Sequence, residues 1–135
     1  MNYWLVKSDP DTYSWNNMTN DKRTFWDGVR NFQARNYLKE MKIDDLVLFY
    51  HSQSDKSIVG ITKIVKEHYP DPTTDDDRWV VVDLEVVDSL QKPVPLETIK
   101  SNPILANLPL IKQQRLSVMP LNKEQYDEII KLGNI

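Results

Sequence analysis

Aromatic, arginine and amide side chains are concentrated in one short stretch of the chain, from Phe25 to Asn36. The pair Phe25-Trp26 comes first, Gly28 follows, and Arg30 and Asn31 come after the turn that the glycine predicts. A glycine and then an asparagine mark a junction between a strand and a helix, where backbone N–H groups are free and side chains converge. Aromatic faces stack on planar ligands and amides bond their polar edges. This stretch is therefore predicted to form one wall of a binding pocket.

Three further segments carry polar or aromatic side chains where predicted strands end. They are Lys7-Ser8, Tyr50-His51-Ser52 and Arg115-Leu116-Ser117. A curved sheet would bring such strand ends together, and an arginine beside a pocket can stack on a base or fork onto a phosphate. His51 and Ser52 cannot by themselves form a nucleophile–base pair, because neighbours on a strand point to opposite faces.

No metal or cofactor is expected. The two histidines, His51 and His68, have no partner at a metal-ligand spacing, and the chain has no cysteine. A thiolate zinc site, a disulfide framework and a cysteine nucleophile are therefore excluded. The acidic residues Asp71 and Asp75 to Asp77 lack the closing glutamate of a calcium loop, so they are interpreted as a solvated loop.

Composition limits the function further. The length of 135 residues predicts one domain, residues 1–135, and we expect a monomer. The net charge of −3 argues against a protein that holds nucleic acid by phosphate neutralisation alone, so any nucleic-acid site is expected to be a local patch and a pocket. No apolar run approaches the roughly 20 residues of a membrane span, and Met1 to Trp4 do not begin a signal peptide. We expect no membrane partner and a cytoplasmic location, or a nuclear one if the source is eukaryotic.

Hydrophobic spacing predicts an α+β fold. Helices are predicted from the N-cap Thr12 to Met18, from the N-cap Asn31 to Met41, over Leu96–Lys100, and from Asn122 to just before Gly133. Strands are predicted over Tyr3–Lys7, Leu46–Tyr50, Ser57–Glu67, Arg78–Leu90 and Leu116–Pro120, with Arg23–Trp26 as a brief extended segment. Consecutive long strands favour an antiparallel curved sheet or a small open barrel with helices at its ends. Gly60, inside a strand, predicts a bulge or a close approach.

Seven blocks, in order along nearly the whole chain, resemble the EVE domain family. They are Trp4–Pro10, Trp26–Asn36, Leu48–Ser52, Ile58–Ile61, Tyr69–Asp71, Arg78–Asp83 and Arg115–Val118. Two positions depart from the pattern: the family usually has glutamate where Asp9 stands, and often tyrosine where Phe32 stands. The second change removes a hydroxyl, and with it any hydrogen bond from that ring.

The resemblance implies a PUA-like fold, a mixed or antiparallel pseudo-barrel of about five strands with flanking helices, related to the YTH readers of methylated adenine in RNA. It also implies binding of a modified base in DNA or RNA, with modified cytosine such as 5-methylcytosine in DNA favoured. A non-catalytic reader of a modified base is therefore the leading hypothesis, with nucleic acid as its partner.

We predict a single pocket formed by the four segments above. Trp26 and Tyr50 are predicted to stack on the base, with Trp79 as a third aromatic candidate, whereas Trp4 and Trp15 are assigned to the core. The predicted ligand-binding residues of this pocket are Lys7, Ser8, Trp26, Gly28, Val29, Arg30, Asn31, Tyr50, His51, Ser52, Arg115 and Ser117. Within this set, Ser8 and Asn31 are predicted to read the base edge. Arg30 and Arg115 are predicted to hold the phosphate.

Two alternatives stay open. The PUA-like superfamily also contains ASCH domains, some of which are small amidohydrolases acting on acylated cytidine, and Lys7, Ser8 and Asp9 offer a comparable set. A lysine base would need a pKa lowered by burial. The other alternative is a protein–protein module in which the aromatic residues only form the core.

Overall fold

The protein, as a computed structural model, is described over residues 1–135 and alternates short helices with strands. The strands are β1 (Tyr3–Ser8), β2 (Arg23–Phe25), β3 (Leu46–His51), β4 (Ser57–Pro70), β5 (Val80–Pro95) and β6 (Val118–Leu121). The helices are α1 (Trp15–Asp21), α2 (Phe32–Glu40), α3 (Leu96–Ser101), α4 (Pro109–Lys112) and α5 (Lys123–Leu132).

The six strands form one open, mixed sheet in the order β2-β5-β4-β3-β1-β6. Every pairing is antiparallel except that of β1 with β3, which is parallel. The predicted α+β class, a mixed sheet with flanking helices, is confirmed, and the register of β4 against β5 shifts between Ile58 and Gly60, where the glycine predicted a bulge or a close approach. The sheet has six strands where about five were expected. The sixth is β2, the predicted brief extended segment, which pairs with Asp83–Glu85 of β5.

The longest strand, β5, runs past the point where the sequence predicted its end. Pro93 and Pro95 led us to expect a break after Leu90, but the strand continues, and Val94 pairs with Ile58 of β4. Because β2 covers β5 only near Asp83, the proline segment has a neighbouring strand on one side alone. A proline is tolerated there, since its missing N–H would point away from the sheet.

Three of the five helices, α1, α2 and α5, begin at a side-chain cap. Asn31 caps α2 by accepting a hydrogen bond from the Ala34 N–H, and Asn122 forms a capping box with Gln125 at α5, both as predicted. At α1 the predicted cap, Thr12, is wrong: Ser14 is the cap, two residues later. The N–H of Thr12 donates instead to the Asp9 carbonyl in a turn that follows β1.

One cluster of 32 buried hydrophobic residues forms the core. Trp4 and Trp15 belong to it, as predicted. Gly60 allows a close approach, because a Cβ there would overlap the indole ring of Trp15. The single domain stays a prediction, with which this continuous core is consistent. At the edge of this core, the end of β1 lies beside the turn that follows β2.

Candidate functional site

A pocket of about 370 Å³ opens between the end of β1 and the turn after β2. This volume lies within the range of small-molecule sites, about 300–1,000 Å³. We call it the Trp26 pocket. Its lining residues are Lys7, Ser8, Asp9, Thr12, Tyr13, Thr24, Phe25, Trp26, Asp27, Gly28, Val29 and Ser117.

Trp26 is held rigidly at this pocket. Its backbone N–H donates to the Val82 carbonyl at 2.8 Å, and its ring packs edge-to-face against Phe49 and Tyr13, with centroid distances of 5.5 and 6.3 Å. Only 8% of Trp26 is exposed, whereas Phe25, next to it, is 40% exposed. The pocket thus has one fixed aromatic ring and one more accessible ring, which suits a planar ligand.

Two carboxylates lie in the same pocket. Asp27 makes no side-chain hydrogen bond or ion pair within the protein, and Asp9 uses Oδ1 to accept from the Asp11 N–H at 2.9 Å. Carboxylates accept hydrogen bonds from exocyclic amino groups such as the one on cytosine. They repel phosphate. The pocket therefore favours a base edge over a phosphate group.

The Gly28 turn has the conformation that glycine favours. Its φ is +78°, and no atom lies within 4 Å of the place where a Cβ would be, so backbone conformation and not space selects glycine there. The Gly28 N–H points to the Asp71 carboxylate, with the nitrogen 3.3 Å from Oδ2. The turn is therefore anchored from a loop distant in sequence.

Asp71 corrects one prediction, because it is 2% exposed and does not belong to a solvated loop. Its Oδ2 accepts from Gly28 and from Arg30 Nη1 at 2.9 Å, and its Oδ1 accepts from the N–H and hydroxyl of Thr73 at 2.7 and 2.6 Å. Burial alone would raise the pKa of Asp71, but these hydrogen bonds outweigh it and hold the pKa below the usual value. This buried carboxylate positions the pocket turn, and its only sequence signal was the Tyr69–Asp71 block.

Arg30 and Trp79 lie outside the pocket lining. Arg30 donates to Asp71 and to the Val29 carbonyl, and its guanidinium lies 5.7 Å from the Trp79 ring centroid. Trp79 stacks on Phe32 at 5.0 Å. Arg30 is thus held by a buried carboxylate beside the pocket turn, and its phosphate contact stays a prediction.

Asn31 and Arg115 also lie outside the pocket. The Asn31 side chain is occupied as the cap of α2, with its Oδ1 3.0 Å from the Ala34 nitrogen. Arg115 is exposed, makes no ion pair or side-chain hydrogen bond, and lines neither this pocket nor the cavity described next. The predicted edge contact from Asn31 and phosphate contact from Arg115 are therefore not formed by this pocket.

On the β1 side, the polar groups of Ser8 and Lys7 already have backbone partners. The Ser8 hydroxyl donates to the Tyr13 carbonyl at 2.6 Å, and Lys7 Nζ donates to the Gln114 carbonyl at 2.6 Å. Burial lowers the pKa of Lys7. Lys7 lines the Trp26 pocket and also a second cavity.

This second cavity, about 300 Å³, contains the other half of the predicted site. We call it the lysine cavity, and its lining residues are Lys7, Tyr50, Ser52, Gln53, Lys56, Leu96, Lys100, Leu110, Ile111 and Gln114. Tyr50 and Ser52 therefore do not meet Trp26 in one pocket as predicted. The pairing of β1 with β3 places Lys7 opposite Tyr50, so Lys7 stands between the two cavities.

His51 lies in neither cavity. Its Nε2 accepts from the Trp15 N–H at 2.9 Å, and its Nδ1 lies 2.9 Å from Asp55 Oδ2. Because neighbours along a strand face opposite sides, His51 points toward α1 while Tyr50 and Ser52 reach the lysine cavity. These contacts join the end of β3 to the start of α1, and the ligand contact of His51 stays a prediction.

Six pocket residues were absent from the predicted ligand-binding set, and they are Asp9, Thr12, Tyr13, Thr24, Phe25 and Asp27. Phe25 and Asp27 flank Trp26 and were detectable by adjacency alone. Tyr13 was assigned to a helix, but it lies in the turn before α1, where its hydroxyl donates to Asp21 Oδ2 at 2.7 Å. Burial, with a contribution from Asp21, raises the pKa of Tyr13 to about 12.

No cluster of three or more histidine, cysteine, aspartate or glutamate side chains is arranged to hold a metal ion. Among the helices, none has the length and apolar character that crossing a membrane would require.

The fold and the pocket define a class of small α+β proteins with an open mixed sheet and a ligand-sized pocket where β1 ends. The chain belongs to the EVE domain family, whose sequence model matches residues 2–132. The family predicted from the sequence blocks is thus confirmed. Mouse thymocyte nuclear protein 1 is 38% identical to it, over 97% of this chain and 73% of the mouse protein.

Solved structures agree closely with the fold. A crystal structure of a protein from Agrobacterium tumefaciens has a TM-score of 0.96 at 39% identity, covering 100% of this chain and 94% of its own. Human THYN1 protein in complex with DNA containing 5-methylcytosine has a TM-score of 0.92 at 33% identity, covering 100% and 99%. A YTH domain from Zygosaccharomyces rouxii, in complex with N6-methyladenosine RNA, shares the fold with a TM-score of 0.62 at 14% identity, covering 98% and 86%.

Proposed function

We propose that this protein binds a single modified base of a nucleic acid in the Trp26 pocket, without catalysing a reaction. Modified cytosine in DNA is the proposed ligand. The observation that carries the proposal is the meeting of aromatic rings and unpaired carboxylate oxygens in one pocket of suitable size. The human relative that was solved with 5-methylcytosine DNA supports it.

The pocket has a group for each part of a flipped-out methylated cytosine. Phe25 and Trp26 offer ring surface for stacking, which is worth roughly 1–3 kcal/mol per base. Asp27 accepts a hydrogen bond from the exocyclic amino group. Val29 adds apolar surface for a methyl group. Burying one methyl contributes about 0.8 kcal/mol, so contact alone predicts a roughly fourfold preference over cytosine.

The amidohydrolase alternative has less support. A lysine base needs a free amine near a reacting atom, and the lowered pKa of Lys7 is the one feature in its favour. Against it, Lys7 Nζ and the Ser8 hydroxyl both donate to backbone carbonyls. Incubation with acylated cytidine tests this alternative: we expect no turnover, and turnover lost in Lys7→Ala would favour catalysis.

The main test is a titration with duplex DNA carrying one central cytosine, 5-methylcytosine or 5-hydroxymethylcytosine, with matching RNA strands run in parallel. We expect the methylated DNA to bind at least about fourfold more tightly than the unmodified DNA. Equal, weak binding to every probe would contradict the proposal.

Asp27→Ala locates the contact, with Asp75→Ala as its matched control. Both aspartates are exposed and form no ion pair, but only Asp27 lines the pocket. Removing a negative charge should by itself strengthen binding to DNA. We expect Asp27→Ala to weaken binding of methylated DNA about tenfold instead, because a base contact is lost, at roughly 1–3 kcal/mol. Slightly tighter binding by both variants would show that Asp27 does not read the base.

The proposal also includes a monomer without a metal or cofactor. It would act in the cytoplasm, or in the nucleus if the source is eukaryotic. Light scattering of the purified protein and metal analysis of the same sample check the first two points.

A further inference from the structure

The lysine cavity has a positively charged lining. Its three lysines, Lys7, Lys56 and Lys100, form no ion pair in the structure, and no carboxylate is among the lining residues. The whole chain carries a net charge of −3, so this concentration of positive charge is local. A cavity lined in this way attracts an anion.

The uncharged polar groups of the cavity also suit an anion. Gln53 and Gln114 offer amide donors, and Ser52 offers a hydroxyl. Tyr50 is 3% exposed, yet its hydroxyl makes no hydrogen bond within the protein. Burial, together with the charge of Asp55, raises the pKa of Tyr50 to about 12, so this hydroxyl stays protonated and can donate. The hydroxyl keeps solvent access at the cavity wall and is therefore free to donate to a bound anion.

The position of the cavity connects it to the Trp26 pocket. Lys7 lines both, so a nucleotide whose base enters one has its backbone close to the other. The remaining lining residues, Leu96, Leu110 and Ile111, are apolar and suit the face of a sugar ring.

We propose that the lysine cavity binds a backbone phosphate of the nucleic-acid strand whose modified base occupies the Trp26 pocket. Lys56 and Lys100 neutralise the phosphate, the Tyr50 hydroxyl donates to it, and Lys7 lies between phosphate and base. This inference rests on the proposed function. It assigns phosphate binding to lysines and a tyrosine, whereas the sequence predicted Arg30 and Arg115 for that role.

The test uses the double variant Lys56→Ala/Lys100→Ala, with Lys39→Ala/Lys92→Ala as control. All four lysines are exposed and free of ion pairs, so both variants are expected to fold. Each phosphate contact contributes about −0.9 to the slope of log affinity against log salt concentration. Because both lysines are proposed to contact the same phosphate, we expect the slope for methylated DNA to become less steep by roughly 1 in the first variant and to stay unchanged in the control. Equal slopes in both variants would overturn the proposal.

Two readouts separate this inference from the proposed function. The affinity ratio of methylated to unmodified DNA should be the same in the wild type and in Lys56→Ala/Lys100→Ala. A ratio of one in the wild type would overturn the base-reading function, whatever the salt slopes. A normal ratio with an unchanged slope would overturn only the phosphate site.

Replacing charged phosphates of the DNA strand by neutral linkages shows which phosphates the lysine cavity contacts. Methylphosphonate linkages on both sides of the modified base should weaken binding by the wild type and have little effect on Lys56→Ala/Lys100→Ala. Equal weakening of both proteins would place these phosphates elsewhere and contradict the proposal. Inorganic phosphate is the competing occupant: saturable binding of it by the wild type, lost in the double variant while the DNA salt slope is unchanged, would indicate a free-anion site instead.

Discussion

The two cavities on either side of Lys7 differ in charge and in ring content. The Trp26 pocket contains carboxylates and aromatic rings, whereas the lysine cavity contains three lysines without ion pairs and no carboxylate. Phosphate contacts position a nucleic acid, while base contacts specify it. The difference suggests how a chain with a net charge of −3 can hold a strand: charge is concentrated in one cavity, and selectivity is left to the other.

The largest expected effect tests whether the Trp26 pocket depends on its buried anchor. Asp71→Ala removes four hydrogen bonds and leaves the Gly28 and Thr73 N–H groups without their acceptor. We expect the free energy of unfolding to fall by about 3 kcal/mol, measured by urea denaturation, and the preference for methylated DNA to be lost. The salt slope, which reports the lysine cavity, should be retained.

The same carboxylate predicts a pH dependence. Because the pKa of folded Asp71 is below its unfolded value of about 3.9, the ionised form contributes stability above that value. This contribution is lost as the pH falls through the lower, folded pKa. Wild type and Asp71→Asn should therefore converge in stability below about pH 4, and a constant difference down to pH 2 would contradict this assignment.

Local sequence signals predicted local structure well. Asn31 and Asn122 cap helices because their partners are three residues away. Thr73 is local to Asp71, but its other partners, Arg30 and Gly28, are 41 and 43 residues away, so composition could not distinguish a buried anchor from an acidic surface loop. Tyr50 and Trp26 lie in different cavities because of the order of the strands in the sheet. The spacing of hydrophobic residues along the sequence does not predict that order.

Phe25 and Phe32 are the only two phenylalanines with substantial exposure. Phe25 lines the Trp26 pocket, whereas Phe32, 52% exposed, lies outside both cavities against Trp79. We expect Phe25→Ala to weaken binding of methylated DNA about tenfold, because a stacking surface of roughly 1–3 kcal/mol is lost. Phe32→Ala should leave the affinity within about twofold. A larger loss in Phe32→Ala would move the base site toward Trp79.

Gly28→Ala tests the shape of the turn with a smaller change. At φ +78° an alanine costs about 1 kcal/mol, and no neighbouring atom adds a clash. We expect a small loss of stability in thermal unfolding and a measurable loss of base selectivity, with the salt slope unchanged. Retained selectivity would mean that the pocket tolerates movement of this turn.

The smallest effect is expected from coupling through Lys7, the residue that both cavities share. In double-mutant cycles, Lys7→Gln should couple to Phe25→Ala and also to Lys56→Ala by about 0.5 kcal/mol or more, because residues with shared partners are not additive. Phe25→Ala and Lys56→Ala should be additive with each other, since no residue other than Lys7 lines both cavities. If Phe25→Ala and Lys56→Ala remain coupled in a Lys7→Gln background, the two cavities act as one site. The assignment of the base to one cavity and the phosphate to the other would then be wrong.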